Sequence, residues 1–295
     1  METKKCAFVI VTYKPDTKKE LLDFATTFTH YDVFVIVDDN SHDYAELRET
    51  YKTLTFIQVN NEICSNSGMK NTSTMTLKKD VTGWDKALYW FAFVNTKYDY
   101  IWFSEDDVFF YNEQTLVNID TKYNGADLLC NSSFDEGKLN EWLWNRISIS
   151  FSPPYYCGMM CICRMSRKMI ESLKDYAVKN NTVFFLEALF PTIAKKYNLE
   201  CVHSPCEFDT VTWQNQHPIY AFCTDKLYHP MKVMSEHIKL RSHLREKIKQ
   251  KEKNKKQKQR LKEKKKQPEN TIITKKSELQ NENNENEYEN EYEII

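Results

Sequence analysis

The sequence predicts an α/β fold in which a Rossmann-like, mostly parallel sheet is flanked by helices and followed by a charged, low-complexity tail. Short apolar runs rich in β-branched and aromatic residues alternate with helical segments through the first hundred residues. These runs are apolar throughout, which is typical of strands that helices cover on both faces. Apolar residues make up 41% of the 295-residue chain, which is enough for a sizeable core.

Four strands and three helices are predicted in that first part of the chain. The strands are continuous apolar runs that end at polar or turn-forming residues, at 6–13, 32–41, 54–61 and 98–107. Two of the helices are amphipathic and the middle one is short and polar; the three lie at 18–28, 43–52 and 83–96. Because such alternation gives a doubly wound sheet, the carboxyl ends of the strands are expected to share one rim, where ligands bind.

The second half of the chain is less regular. Its predicted elements are a strand-like run at 150–166, a helix at 166–179 capped by Ser166, and a helix at 183–198. Pro191 lies inside the last helix and cannot donate a hydrogen bond to the carbonyl of Glu187, four residues earlier.

Charge is distributed unevenly along the chain. Residues 239–266 contain 15 basic and 3 acidic side chains, whereas residues 267–295 contain 2 basic and 8 acidic ones. The basic run lacks the interleaved aromatic residues of nucleic-acid binding segments and the apolar stripe of a membrane helix. We therefore expect no specific nucleic-acid partner, and at most a weak electrostatic contact between 239–266 and an anionic membrane.

Nine cysteines are present, together with no secretory leader and no stretch of ~20 apolar residues. This combination predicts a cytoplasmic protein with reduced thiols, peripheral at a membrane if the basic run contacts one. The alternative is a zinc site built from Cys157, Cys161 and Cys163 with Cys201 and Cys206. Their spacing matches no common ligand pair, and free cysteines are frequently buried.

Two acidic clusters follow strands whose ends are predicted to meet. Asp38 and Asp39 close the second strand, and the triplet Glu105-Asp106-Asp107 closes the fourth. Burying unpaired carboxylates is costly, so the triplet requires a cation, basic side chains or water. Mg²⁺ and Mn²⁺ prefer oxygen ligands, which favours a metal. Three solvated acids in a loop are the alternative, although the apolar flanks "YIWF" and "VFF" argue against it.

Three segments occur in an order that resembles the GT-A glycosyltransferases. They are "VIVTYKPD", "VIVDDNS" and "WFSEDDVFF", and the resemblance covers about residues 5–235. It implies a Rossmann-like domain that binds a nucleotide-sugar, with "EDD" as a variant of the D-x-D metal motif and "VDDNS" similar to the acids that contact base and ribose. Asn40 departs from the pattern, since a glycine usually follows those two acids.

The resemblance also implies roles for individual residues. Thr12 and Tyr13 would line the nucleotide pocket, and Asp38 and Asp39 would hold uracil or ribose. Lys86 would approach the nucleotide or its phosphates.

The metal would be Mn²⁺ or Mg²⁺, bound directly by Asp107 with Glu105 and Asp106 in support. His229, in "YHPMK", occupies the place of a C-terminal histidine that returns to the metal, and Lys232 would meet the diphosphate. A structural role is the alternative for a single histidine.

Glu187 is the candidate general base that an inverting transferase needs beside the acceptor hydroxyl. It is the only acid between Asp175 and Glu200, and apolar neighbours would raise its pKa. Its segment is similar to "E-A-x-F-P-T" segments of glycosyltransferase-like proteins. The alternative is an acid that only stabilises the start of a helix.

Together these features predict a metal-dependent glycosyltransferase with a UDP-sugar donor and a glycan or protein hydroxyl acceptor. The alternatives are a non-catalytic sugar- or nucleotide-binding module with a polycationic tail, and a sugar-nucleotide pyrophosphorylase. The latter usually has a glycine-rich phosphate loop where this chain has "VTYKPDTKK". The predicted domains are a GT-A domain at 1–236, with its halves at 1–130 and 131–236, a basic and helical extension at 237–267, and a disordered acidic tail at 268–295.

Overall fold

The computed structural model describes residues 4–132, 143–202, 205–213 and 217–266. Six strands form one sheet: β1 Cys6–Thr12, β2 Asp32–Val37, β3 Thr55–Ile57, β4 Tyr100–Glu105, β5 Leu128–Asn131 and β6 Met159–Ser166. The α-helices of the described residues are α1 Lys19–Ala25, α2 Ala45–Thr50, α3 Asn61–Asn66, α4 Gly83–Tyr89, α5 Glu113–Lys122, α6 Arg167–Asn180, α7 Leu186–Lys196 and α8 Met234–Lys266.

The strand order is β3-β2-β1-β4-β6-β5. The first four strands of this order pair in parallel, and β6 runs antiparallel to both β4 and β5. The predicted mostly parallel α/β sheet with flanking helices is therefore confirmed. The predicted acidic tail at 268–295 lies outside the described residues.

Apolar side chains alternate between the two faces of the sheet and form a core on each. Along β1, Ala7, Val9 and Val11 belong to one core, while Phe8 and Ile10 belong to the other. Apolar residues of α4, α6 and α7 cover the first face, and those of α1 and α5 cover the second. Fully burying one such side chain contributes about 1.5–3 kcal/mol, so the two cores hold the strand ends in fixed positions.

Several elements differ from the sequence prediction. α3, α5 and β5 were not predicted, and the strand-like run at 150–166 is a strand only in β6. The helix predicted at 83–96 is α4 followed by a π-helical turn over Trp90–Val94. Ser166 caps α6 as predicted, since its side chain accepts a hydrogen bond from the Met169 N–H.

By its internal contacts the chain divides into two compact units, Met1–Leu244 and Arg245–Ile295. In the first unit, Leu240 and Leu244 at the start of α8 are buried in a small core with Phe109. In the second unit, the described side chains of α8 are almost all exposed. No helix among the described residues is long and apolar enough to cross a membrane.

Candidate active site at the carboxyl ends of the strands

Three strands deliver the predicted site residues to one rim of the sheet. In the parallel register, Thr12 at the end of β1 is level with Val37, and Val11 is level with Glu105. Asp38 directly follows β2. The acidic clusters that are far apart in sequence therefore lie at the same edge, as the alternation of strands and helices predicted.

Of the three consecutive acids after β4, Asp106 has hydrogen-bond partners of its own. The carboxylate of Asp106 accepts hydrogen bonds from the Thr12 hydroxyl at 2.5 Å and from the Lys18 ammonium at 2.9 Å. These contacts neutralise Asp106 and fix the turn after β4 to the end of β1. The carboxylate of Asp106 therefore makes structural contacts. The Thr12 side chain is 3% exposed, and its hydroxyl points to that carboxylate.

Glu105, Asp107 and His229 converge on the other side of that turn. The His229 Nε2 atom lies 3.2 Å from Asp107 Oδ1 and 3.7 Å from Glu105 Oε2. Glu105 Oε1 also accepts a hydrogen bond from the Trp84 indole N–H at 2.9 Å. His229 comes from a segment near the end of the first unit, which the isolated bridge between Val211 and His229 holds in place.

The hydrogen bond on the other ring nitrogen of His229 determines what Nε2 can do. Nδ1 is 2.7 Å from the carbonyl oxygen of Thr212, which can only accept, so Nδ1 carries a hydrogen. In the neutral imidazole, Nε2 would then turn a lone pair toward the carboxylates of Glu105 and Asp107. That arrangement is repulsive unless a proton or a metal ion lies between the groups.

The pKa values of His229, Asp107 and Glu105 depend on the charges that these groups present to one another. Burial alone would lower the pKa of His229, but the adjacent Asp107 carboxylate and the Thr212 carbonyl raise it overall. Burial would raise the pKa of Asp107, yet the hydrogen bond and charge of His229 bring it below its ordinary value. Burial raises the pKa of Glu105, against the hydrogen bond from Trp84. The cluster therefore favours a positive charge at its centre.

The donor atoms at this point fit a divalent cation. Among the described residues, ligand atoms of Glu105, Cys161 and His229 all lie within 4.8 Å of one another. Apart from His229 Nε2 at 3.2 Å, the buried Asp107 Oδ1 atom has no hydrogen-bond partner, so it can bind a cation beside His229. The Cys161 thiol was not predicted as part of this cluster. The antiparallel register of β4 with β6, which no sequence pattern revealed, places it there.

Glu187 lies in the first turn of α7 and faces the same region. Burial and the charge of Glu105 raise its pKa to about 7, and His229 opposes them. Pro191 leaves the Glu187 carbonyl without its helical donor, as the sequence predicted, and the Gly158 N–H binds that carbonyl at 2.9 Å. The start of α7 is thereby fastened to the segment that leads into β6.

The acids after β2 have separate environments. Asp38 Oδ1 lies 3.1 Å from the Lys86 ammonium, which is fully buried, and Asp38 Oδ2 lies 3.4 Å from exposed Lys79. Asp39 Oδ1 accepts hydrogen bonds from the backbone N–H and the hydroxyl of Ser41. The amine of Lys86, predicted near the nucleotide or its phosphates, is engaged by Asp38. The partner of Lys86 was not apparent in the sequence.

Two exposed groups extend the site outward. Tyr13 is 52% exposed, and the Lys79 ammonium lies 5.2 Å from the centre of its ring. Lys232 is exposed on the other side, where its charge helps to lower the pKa of Asp107. Lys232 also borders a cavity of about 710 Å³, which includes Trp213 and Phe222 in its wall.

Comparisons with known proteins find no match among protein-family models or curated proteins. Solved structures that resemble the chain include glycosyltransferases, the class that the three sequence motifs resemble, and a synthase. The galactosyltransferase LgtC, in complex with donor and acceptor sugar analogues, is 13% identical, with a TM-score of 0.43 over 80% of this chain and 96% of that chain.

Mouse xyloside xylosyltransferase 1 is 10% identical, with a TM-score of 0.41 over 77% of this chain and 97% of that chain. The 4-diphosphocytidyl-2C-methyl-D-erythritol synthase of Anaerococcus prevotii is 9% identical, with a TM-score of 0.45 over 82% of this chain and 96% of that chain. Similarities this distant assign no activity to the chain.

Proposed function

We propose that this chain is a metal-dependent glycosyltransferase that moves a sugar from a UDP-sugar to a hydroxyl group of a glycan or protein, with inversion. The observation that carries the proposal is the convergence of Glu105, Asp107 and His229 at the rim that also holds Asp38 and Tyr13. A cation-binding cluster beside an exposed aromatic ring suits a nucleoside diphosphate, which presents a base and two phosphates.

Asp107 and His229 would hold Mn²⁺ or Mg²⁺ directly, and the carboxylate of Glu105 would support them. When bound, the cation offsets the charge of the diphosphate and so stabilises the departing nucleotide. Lys232 would add a positive charge from the exposed side. Tyr13 would stack on the base, and Asp38 and Asp39 would form the wall beside the ribose.

Glu187 would accept the proton of the acceptor hydroxyl. Its pKa of about 7 leaves it substantially ionised near neutral pH while keeping it basic enough to take a proton. An inverting transfer needs such a base because the acceptor attacks from the side opposite the leaving nucleotide, and the charges of Glu105 and His229 both act on Glu187. Stereochemistry, donor and acceptor all belong to the proposal.

Thermal unfolding with UDP, GDP and CMP, each with and without Mn²⁺, tests the donor and the metal together. We expect UDP to raise the melting temperature only when Mn²⁺ is present, because a ligand that binds the native state stabilises it by mass action. In Asp107→Ala the Mn²⁺-dependent shift should disappear.

A panel of UDP-sugars and hydroxyl acceptors then tests transfer. Nucleotide binding with neither hydrolysis nor transfer across the panel would instead support the non-catalytic binding module. Consumption of a nucleoside triphosphate with a sugar 1-phosphate would support the pyrophosphorylase. A UDP-induced shift that is independent of Mn²⁺ and survives in Asp107→Ala would overturn the metal assignment.

A further inference from the structure

We propose that Cys161 is a protein ligand of the divalent cation, so that the site binds Mn²⁺, Co²⁺ or Zn²⁺ in preference to Mg²⁺. The inference rests on the metal site of the proposed function and adds to it a donor of different chemistry. With a Cys161 thiolate, the cation would have sulfur, nitrogen and oxygen ligands. The acidic motif and His229 without Cys161 would provide only oxygen ligands and one imidazole nitrogen.

The strand register positions the thiol. In the antiparallel pairing of β4 with β6, Phe103 is opposite Cys163 and Ser104 is opposite Ile162. Continuing this register by one pair sets Cys161 opposite Glu105, and directly opposed residues have Cβ atoms only ~4.5–5.5 Å apart. Cys161 is 7% exposed, so its thiol is largely shielded from solvent.

The spacing of the donors agrees with a shared ion. Zinc–sulfur and zinc–nitrogen bonds are about 2.3 and 2.0–2.1 Å long, so two donors of one tetrahedral ion lie roughly 3.3–3.6 Å apart. The donors of Glu105, Cys161 and His229 lie within 4.8 Å of one another without an ion. A contraction of up to about 1 Å, within the reach of side-chain rotation, would bring all three to the separations of one tetrahedral ion.

The donor set determines which cation is preferred. Mg²⁺ takes hard oxygen ligands in nearly ideal octahedral geometry, whereas imidazole and thiolate favour later divalent metals. When the cation binds, a sulfur–metal bond forms, the S–H bond breaks, and the proton leaves to water. No oxidant or reductant is needed for this exchange.

Cobalt reports the sulfur ligand directly. The full-length protein would be titrated with one equivalent of Co²⁺, in the presence and absence of UDP, and followed by absorption. We expect visible ligand-field bands and a near-ultraviolet thiolate-to-cobalt band. In Cys161→Ser the near-ultraviolet band should disappear and Co²⁺ affinity should fall by about 10-fold or more, since even the loss of a residue that only orients a metal ligand costs about 10–100-fold.

Cys157→Ser is the matched control. It removes a partly buried thiol four residues earlier that is not among the three clustered donors, so both bands should be retained. Competition provides a second readout: excess Mg²⁺ should leave the cobalt spectrum unchanged, whereas Zn²⁺ should abolish it.

The outcomes separate the inference from the proposed function. Two results would contradict the role of Cys161 while supporting the metal site. One is bound cobalt that shows visible bands but no thiolate band, and the other is a Cys161→Ser spectrum identical to that of the wild type. No cobalt binding with or without UDP would overturn both. If Cys161→Ser fails to fold, zinc-edge X-ray absorption of the zinc-loaded wild-type protein replaces it. We expect one sulfur atom at about 2.3 Å from the zinc ion. A zinc ion with only nitrogen and oxygen neighbours would refute the inference.

Discussion

Asp106 and Asp107 are adjacent in the chain, yet their carboxylates have different partners. Asp106 binds Thr12 and Lys18, while Asp107 faces His229. We expect Asp106→Ala to lower the free energy of unfolding by about 1–3 kcal/mol, because it leaves a buried hydroxyl and an ammonium without their acceptor. Mn²⁺ affinity should be little changed, which urea unfolding and a Mn²⁺ titration would show.

Asp107→Ala is the counterpart of that substitution. It should abolish Mn²⁺ binding while costing less stability, because the metal-free protein loses only the contact with His229. The assignment of the two acids would be wrong if Asp106→Ala lost Mn²⁺ binding and Asp107→Ala kept it.

The ionisation of Glu187 should control the pH dependence of transfer. A base must be deprotonated to act, so kcat is expected to rise with pH until Glu187 is ionised and then to level off, at or below about pH 7 because a bound cation would offset the Glu105 charge that helps to raise the pKa of Glu187. Glu187→Gln should lower kcat by about 10²–10⁴-fold and remove this rise. Glu171→Gln, which changes an exposed acid of α6, is the control and should keep the wild-type profile.

The positions of these residues at strand ends were predictable, but their partners were not. An apolar run ending in acids indicates a strand end, and parallel pairing then brings such ends together. Lys18 and Cys161 gave no comparable signal, because they reach the acids through tertiary packing and strand register. A thiol between apolar residues has the same local pattern whether it packs in a core or faces a cation-binding cluster.

At the scale of elements, the start of α8 depends on a neutral histidine. His237 is 1% exposed and its Nε2 lies 2.7 Å from the carbonyl oxygen of Met231, so Nε2 carries the hydrogen. Nδ1 is buried and makes no hydrogen bond. Protonation there would bury an unpaired donor and a charge, and burial accordingly lowers the pKa of His237 to about 4.

This histidine predicts a loss of stability in acid. Because the pKa is lower in the folded than in the unfolded protein, its contribution is fully present above about pH 6.5 and is lost as the pH falls toward 4. The loss amounts to about 3 kcal/mol at most. Urea unfolding between pH 7.5 and 4.5 should show a smaller decline in the free energy of unfolding for His237→Gln than for the wild type, since the two proteins share all other titratable groups. Equal declines would contradict the assignment.

The elements differ in how strongly the sequence signals them. β1, β2 and β4 are long apolar runs and were predicted. α5 buries only Thr115, Leu116 and Ile119 of its ten residues, which is too weak a pattern to separate it from a loop. β5 has four residues and gains its place in the sheet from pairing with β6, so local sequence carries little information about it.

At the scale of the whole molecule, the chain joins a mildly acidic globular unit to a strongly basic helix. Almost every described side chain of α8 beyond Leu244 is exposed, so these residues add little to the core of the first unit. A chain ending at Leu244 should therefore keep the melting temperature of the full chain. We propose that the basic part of α8 gives the full chain weak, salt-sensitive binding to anionic vesicles, which the shortened chain should lack, because basic residues near such a surface contribute about 1 kcal/mol each.

Vesicle sedimentation at low and high salt would measure that difference, with neutral vesicles as the control. Equal binding by the two chains would contradict a membrane contact of the residues beyond Leu244. A melting temperature lowered by the truncation would show that the basic helix stabilises the first unit.

The hydrogen bond from the Gly158 N–H to the Glu187 carbonyl has a mechanical consequence for the site. It joins the approach to β6, three residues before Cys161, to the first turn of α7. Main-chain atoms therefore fix the position of Glu187 relative to the segment that leads into β6, the strand that carries Cys161. A displacement of the Gly158 backbone would therefore be transmitted to the first turn of α7, which carries Glu187.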